Sequence, residues 1–227
     1  MDLNNCVNCT RKTACFNYLT GDELALFNAN KTTIRYRKGE TIVKQGTHFN
    51  QVISFNSGLA KLNIEIDNKR NLLIGLIKPS EILAGPGMFA DNTYTFSVTA
   101  LVDSTICLID LDTFKKIFRT NEQFAESFMT SFSQRYIDTC KRFVSLTQKQ
   151  MHGRMADGLL YLSKDFFQTD TFKLHLSRQE IADLTAMSKD SAIRILKDFE
   201  RDKLIALKGN DLSILNMDQL MDISLKG

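Results

Sequence analysis

The sequence predicts an α+β chain in three successive parts: a run of short strands, one long helix, and a small helical region closed by a hairpin. Three observations lead there. Between residues 32 and about 110, apolar residues recur with period two and turn residues punctuate them. Between about 121 and 149, an apolar stripe recurs every three or four residues. Between 176 and 202, two short helical stretches each begin on a serine placed to cap them.

The elements follow in order. Thr20-Gly21-Asp22-Glu23 has capping-box spacing and opens a short helix through Leu24, Leu26 and Phe27. Strands are expected at Ile34 with Tyr36, at Ile42-Val43, at Val52 with Phe55, and at Leu62, Ile64 and Ile66. Lys38-Gly39, Gln45-Gly46, Ser57-Gly58, Asp67-Asn68 and Gly85-Pro86-Gly87 mark the turns between and after them. Many short strands at this spacing indicate a sandwich or barrel. The stripe of Met129, Phe132, Tyr136, Cys140, Phe143 and Leu146 reads as a seam that pairs two subunits. Packing within the chain is the competing reading. Helical residues 151–168 and a short strand at Phe172-Lys173-Leu174 lead into the capped pair. Four parts result: a cysteine-bearing leader (1–19), a β-rich domain (20–120), a dimerisation helix (121–150) and a C-terminal domain (151–227).

Composition limits the function. The 227 residues are 43% apolar and 24% charged, those of an ordinary globular protein. The longest apolar runs are far too short to span a bilayer, so no membrane association is expected. The first fifteen residues are polar and show no signal pattern, so a reducing cytoplasmic setting is expected. A net charge of +3 excludes binding to nucleic acid by bulk charge. No nucleophile–base pair, phosphate loop or acid dyad suggests catalysis, and an enzyme is not expected.

Ser177 with Glu180 forms a second capping box, and Ile181 and Leu184 give the first helix of the pair its apolar stripe. Ser188 caps the next helix, whose inner face is Ile195, Leu196 and Phe199. Lys189, Asp190, Ser191 and Arg194 are left near its outer N-terminal end, the part of a recognition helix that reaches base edges. The run 176–197 resembles the Crp/Fnr family of bacterial transcription regulators, whose signature is L-[ST]-R-Q-E-I-A-x-x-x-G-x-[ST]-[RK]-E-[ST]-x-x-R-x-L-K. Residues 176–182 match it without a break, and Ser188, Ser191, Arg194, Leu196 and Lys197 match further on. Two positions depart: the turn glycine is Ala186 and the base-reading glutamate is Asp190. Alanine there must adopt whatever positive φ the turn demands. Aspartate keeps an acceptor for a cytosine amino group on a shorter arm.

The resemblance extends outward. Leu204-Ile205 and Lys208-Gly209 resemble the family's wing, residues 153–163 its first DNA-domain helix, and residues 37–46 the opening hairpin of a cyclic-nucleotide-binding β-roll. It implies a homodimer that places two winged helix-turn-helix units on double-stranded DNA, and contact with RNA polymerase. Arg194 would contact guanine, Asp190 a cytosine and Lys189 a base or phosphate, with Ser177, Arg178 and Lys197 on phosphates.

Cys6-x-x-Cys9 and Cys15 crowd the leader, and Cys107 lies on a late strand. This arrangement resembles the Fnr branch of the family, in which four thiolates hold an oxygen-sensitive [4Fe-4S] cluster. On that resemblance Cys6, Cys9, Cys15 and Cys107 are the ligands, and oxygen or redox state is the signal. Soft anionic thiolates suit iron, and Arg11 and Lys12 would favour them electrostatically. The residues alone also allow zinc, a thiol switch or no metal, with some other small-molecule effector. Cys140, on the helix stripe, is expected to be a small buried hydrophobe. Cyclic nucleotide binding is not expected. No arginine or lysine lies between Glu81 and Lys115, Tyr94 and Thr95 occupy the phosphate-gripping positions, and a buried phosphate needs a cation.

Overall fold

The computed structural model describes residues 6, 7, 9–66, 71–84 and 86–227. They form two compact units, Met1–Glu65 with Gly75–Tyr136, and Ile66–Ile74 with Ile137–Gly227. The expected turn at Asp67-Asn68, and Gly85 of the later turn, lie outside the described residues.

The first unit begins with a 3-10 turn, Ala14–Tyr18, and helix α1, Gly21–Ala29, opened by the anticipated capping box at Thr20 and Glu23. Strands β1 (Lys31–Tyr36), β2 (Thr41–Val43), β3 (Gln51–Ser57), β4 (Ala60–Glu65), β5 (Asn71–Ile77), β6 (Ile82–Leu83), β7 (Ser97–Ala100) and β8 (Ser104–Asp110) follow. They form two four-stranded sheets, ordered β1-β8-β3-β6 and β2-β7-β4-β5. Asp110 then caps α2, Leu111–Thr120, by accepting from the Thr113 amide, and the long α3 spans Glu122–Gln148. The start of α3 is fixed by a phenylalanine cluster. Phe114 lies 5.4 Å from Phe124 and 5.2 Å from Phe128, and Phe16 of the leader lies 5.3 Å from Phe27. Each such pair adds roughly 0.5–1.5 kcal/mol beyond burial, so the leader is anchored by an aromatic ring beside Cys15.

Farther along α3 the apolar stripe is uncovered. Met129 is 44% exposed, Tyr136 66% and Phe143 67%, and Ile137 and Val144 widen the patch. Cys140 is exposed, not buried as expected, because none of the described residues covers that face.

The second unit carries α4 (Met151–Leu160), a π-helical segment (Tyr161–Phe167), β9 (Thr171–Lys173), α5 (Arg178–Leu184), α6 (Lys189–Arg201), β10 (Ile205–Lys208), β11 (Asp211–Ile214) and α7 (Met217–Lys226). Strands β10, β11 and β9 make one small sheet, with the β10–β11 turn at Gly209, φ +64°. Met155, Leu159, Ile181, Ile195, Phe199, Leu204 and Leu212 form its core. Gly158 lets α4 approach the end of α5: a Cβ there would stand 2.9 Å from Thr185 Cγ2.

Candidate DNA-recognition surface and cysteine site

Local chemistry sets the pose of α5 and α6. Ser177 Oγ accepts from the Glu180 amide at 3.2 Å, and the Glu180 carboxylate accepts from the Ser177 amide at 2.7 Å. At the next helix, Ser188 Oγ accepts from the Ser191 amide at 3.1 Å and donates to Ser191 Oγ at 2.9 Å. The two serines are therefore engaged with each other at the cap. Between the helices, Ala186 adopts φ +48° and the Met187 amide donates back to Ala182 O at 3.0 Å. This is the left-handed helix end that glycine normally fills, and a Cβ there costs roughly 1–2 kcal/mol. Two arginines hold the turn's carbonyls. Arg154 Nη1 donates to Ala186 O at 2.8 Å, and Arg142 Nη2 donates to Leu184 O at 2.6 Å.

On α6 the burial pattern separates two faces. Ala192, Ile195, Leu196 and Phe199 are buried, while Lys189, Asp190, Arg194 and Lys197 are exposed. A shallow groove lined by Asp190, Ile193, Arg194, Lys197, Asp198 and Arg201 runs along the outer face. Arg201 is occupied, 2.9 Å from Asp198 and 3.1 Å from Asp202, which hold its guanidinium above its ordinary pKa. Lys189, Arg194, Lys197 and the half-buried Arg178 make no ion pair or side-chain hydrogen bond among the described residues. These four cations are not used by the fold.

The thiols are less closely assembled. Cys107 lies on β8, opposite Thr33 and Ser54, with Thr33 Oγ1 3.6 Å from its sulfur. Asn56 Nδ2 donates weakly to Cys9 Sγ at 3.8 Å, and Asn28 Oδ1 accepts from the Cys6 amide at 3.0 Å. Burial pushes the Cys6 thiol up; Lys31 and Lys12 oppose this, while Cys107 and Cys9 reinforce it. Cys6 thus lies within electrostatic range of both Cys107 and Cys9, and Lys31 is a cation beside it not anticipated from sequence. Cys15 is apart: it is 1% exposed in the 3-10 turn beside Phe16, and burial pushes its pKa to about 12. Among the described residues no three His, Cys, Asp or Glu side chains are placed to hold a metal ion. The four thiols are therefore not a preformed site, because Cys15 packs here as a small apolar group. Their donor chemistry still fits an iron–sulfur cluster: four thiols, three of them grouped, with two cations nearby.

Tyr94 and Thr95, the residues that the family resemblance brings near the phosphate-gripping positions, lie just before β7. Tyr94 is 4% exposed, donates its hydroxyl to Gln51 O at 2.8 Å and packs at a tilt with its ring centroid 4.5 Å from that of Phe49.

Comparison with known proteins agrees with this architecture. Residues 33–121 match the cyclic nucleotide-binding domain family and residues 153–223 the Crp-like helix-turn-helix domain family. The chain is similar to the transcriptional activator protein Anr of Pseudomonas protegens, 27% identical over 81% of this chain and 77% of that protein. It is also similar to the transcriptional activator protein FnrL of Cereibacter sphaeroides, 24% identical over 91% of this chain and 86% of that protein. Among solved structures, FixK2 from Bradyrhizobium japonicum superposes with a TM-score of 0.77 at 17% identity, covering 85% of this chain and 96% of that one. A CooA mutant from Carboxydothermus hydrogenoformans gives 0.76 at 16% identity, covering 96% of this chain and 99% of that one. These relatives are regulators, not enzymes, and no helix among the described residues is long and apolar enough to cross a membrane. With its β-roll, long helix and helix-turn-helix, the chain belongs to the Crp/Fnr family of DNA-binding transcription regulators.

Proposed function

We propose that the protein is a cytoplasmic, homodimeric Crp/Fnr regulator that reads a pseudo-palindromic DNA site through α6 and senses oxygen or redox state through its leader thiols. The observation that carries the DNA reading is the outer face of α6, where Lys189, Arg194 and Lys197 are exposed and uncommitted. Arg194 is assigned to a guanine, Asp190 to a cytosine amino group, and Lys189 to a base or flanking phosphate. Ser177, Arg178 and Lys197 are assigned to the phosphate backbone and Ser188 and Ser191 to the DNA-facing cap of α6, the serines with their oxygens already used in capping. The uncovered stripe at Met129, Tyr136, Cys140 and Phe143 supports pairing of two α3 helices. Selection of bound DNA from a random pool tests this: a two-fold symmetric site is expected, and asymmetric or sequence-independent recovery refutes it.

For sensing, Cys6, Cys9, Cys15 and Cys107 are assigned as the thiolates that would hold a [4Fe-4S] cluster. Such a cluster supplies a centre whose integrity depends on oxygen. The chain's part is to deliver the donors. Lys31 and Lys12 favour the Cys6 thiolate, and the Ala14–Tyr18 turn must release Cys15 from its apolar packing. Anaerobic purification is the test: about four irons per chain and a brown colour that bleaches in air are expected. A colourless chain holding zinc, or no metal, favours the zinc or thiol-switch alternative. Cys107→Ser is expected to fold normally and to lose any dependence of DNA binding on air.

A further inference from the structure

Arg142 stands out as a half-buried cation, its guanidinium turned out of water without an anion. Its guanidinium is held in the second unit, and among the described residues no carboxylate pairs with it. Its Nη2 donates to two backbone carbonyls, Leu73 O on β5 and Leu184 O at the end of α5, and its Cζ lies 5.9 Å from the Tyr161 ring centroid. Burial lowers its pKa only to about 10, so it is charged at neutral pH. A buried charge is costly unless hydrogen bonds replace its water. Here the replacement comes from two carbonyls and an aromatic face.

The second carbonyl belongs to the turn that sets α6. The last four carbonyls of α5 lack intrahelical partners. Ile181 O is taken by the Thr185 amide and Ala182 O by the Met187 amide, whereas Leu184 O is taken by Arg142. The strained residue Ala186 follows two positions later. We infer that Arg142 is a positioning residue for DNA recognition: it fixes the exit of α5, hence the direction of α6, and makes that pose conditional on the β5 segment sharing its guanidinium. The inference rests on the DNA reading of α6. A change in the Leu73 carbonyl's position would be felt at Leu184 through one side chain. Arg142 points into the protein, so it contributes no phosphate contact of its own.

The full-length protein tests this with Arg142→Met and Arg142→Lys, using the DNA site selected above and a random duplex over a salt series. For Arg142→Met, operator affinity is expected to fall about tenfold, the scale of one misplaced base contact. Affinity for random duplex and the slope against salt should not change, because no phosphate contact is lost. Hydrogen exchange of the Met187 amide is expected to accelerate, and Arg142→Lys to fall between wild type and Met. Should Arg142→Met fail to fold, Arg142→Lys carries the test. A folded variant with wild-type operator affinity and exchange overturns the inference, as does an equal loss on operator and random DNA with a shallower salt slope. Arg194→Ala serves as control: if it leaves sequence preference unchanged, the DNA reading of α6 fails, while the exchange result still reports on the turn.

Discussion

The helix-turn-helix and the cysteine leader use their polar atoms in opposite ways. Around α5 and α6, Ser177, Glu180, Ser188, Ser191, Arg142 and Arg154 are all committed to holding backbone, and Arg178, Lys189, Arg194 and Lys197 are left over. Among the described residues, Cys9 of the leader and Cys107 of β8 have only weak partners, at 3.8 and 3.6 Å, and Cys15 is sealed in an apolar turn. One region is organised before its ligand arrives. In the other, among the described residues, no three thiols are gathered around a common point. A reader of DNA gains from rigid placement, because base readout depends on ångström-scale geometry. A sensor needs a part whose arrangement can change.

Four measurements can break or sharpen this contrast, from the largest expected effect to the smallest. Phe199→Ala removes a fully buried ring from the α6 core and is expected to cost about 3–5 kcal/mol in urea unfolding of the second unit. A cost below about 1 kcal/mol would mean that α6 is not rigidly seated. Arg194→Ala is expected to weaken operator binding by about 1–3 kcal/mol and to relax one base position, with little change in melting temperature, since Arg194 supports nothing in the fold. Ser177→Ala removes one half of a capping box and is expected to cost about 1 kcal/mol of stability. Ala186→Gly relieves the Cβ penalty at φ +48° but adds backbone freedom to the unfolded chain, for a net gain of a few tenths of a kcal/mol. A loss of stability at that position would show that the turn prefers alanine.

Thiol labelling probes the other half of the contrast. Iodoacetamide reacts with thiolates, so exposed Cys140 is expected to label first and buried Cys15, raised to about 12, last in the metal-free protein. Mass spectrometry of timed digests gives the order. Early labelling of Cys15 would show that the Ala14–Tyr18 turn opens readily without any cofactor.

How much could be read from the sequence depended on the range of each signal. Both capping boxes span three residues and were legible, as were the alternating strands, the wing turn at Gly209 and the strain at Ala186. Helices α2 and α7 were passed over although Asp110 with Thr113 and Asn216 with Gln219 mark their starts. The first cap is hidden at the end of a strand, and α7 alternates polarity too closely for a clear stripe. The long-range features had no local mark. Arg142 and Arg154 reach carbonyls 42 and 32 residues away, and nothing around either arginine announces this. The cysteine spacing likewise says which thiols are available, but not that Cys15 is buried beside Phe16 while Cys6 lies near Lys31.

The ion pairs of Arg201 with Asp198 and Asp202 have a further consequence. They leave the far end of α6 with two carboxylates against one guanidinium, whereas the first turn adds its amide dipole to Lys189, and Arg194 and Lys197 follow along the same face. A polyanion approaching this rod meets an uneven field and is drawn toward one tip. If α6 reads DNA as proposed, its insertion angle would be biased during the encounter, before any base edge has been touched.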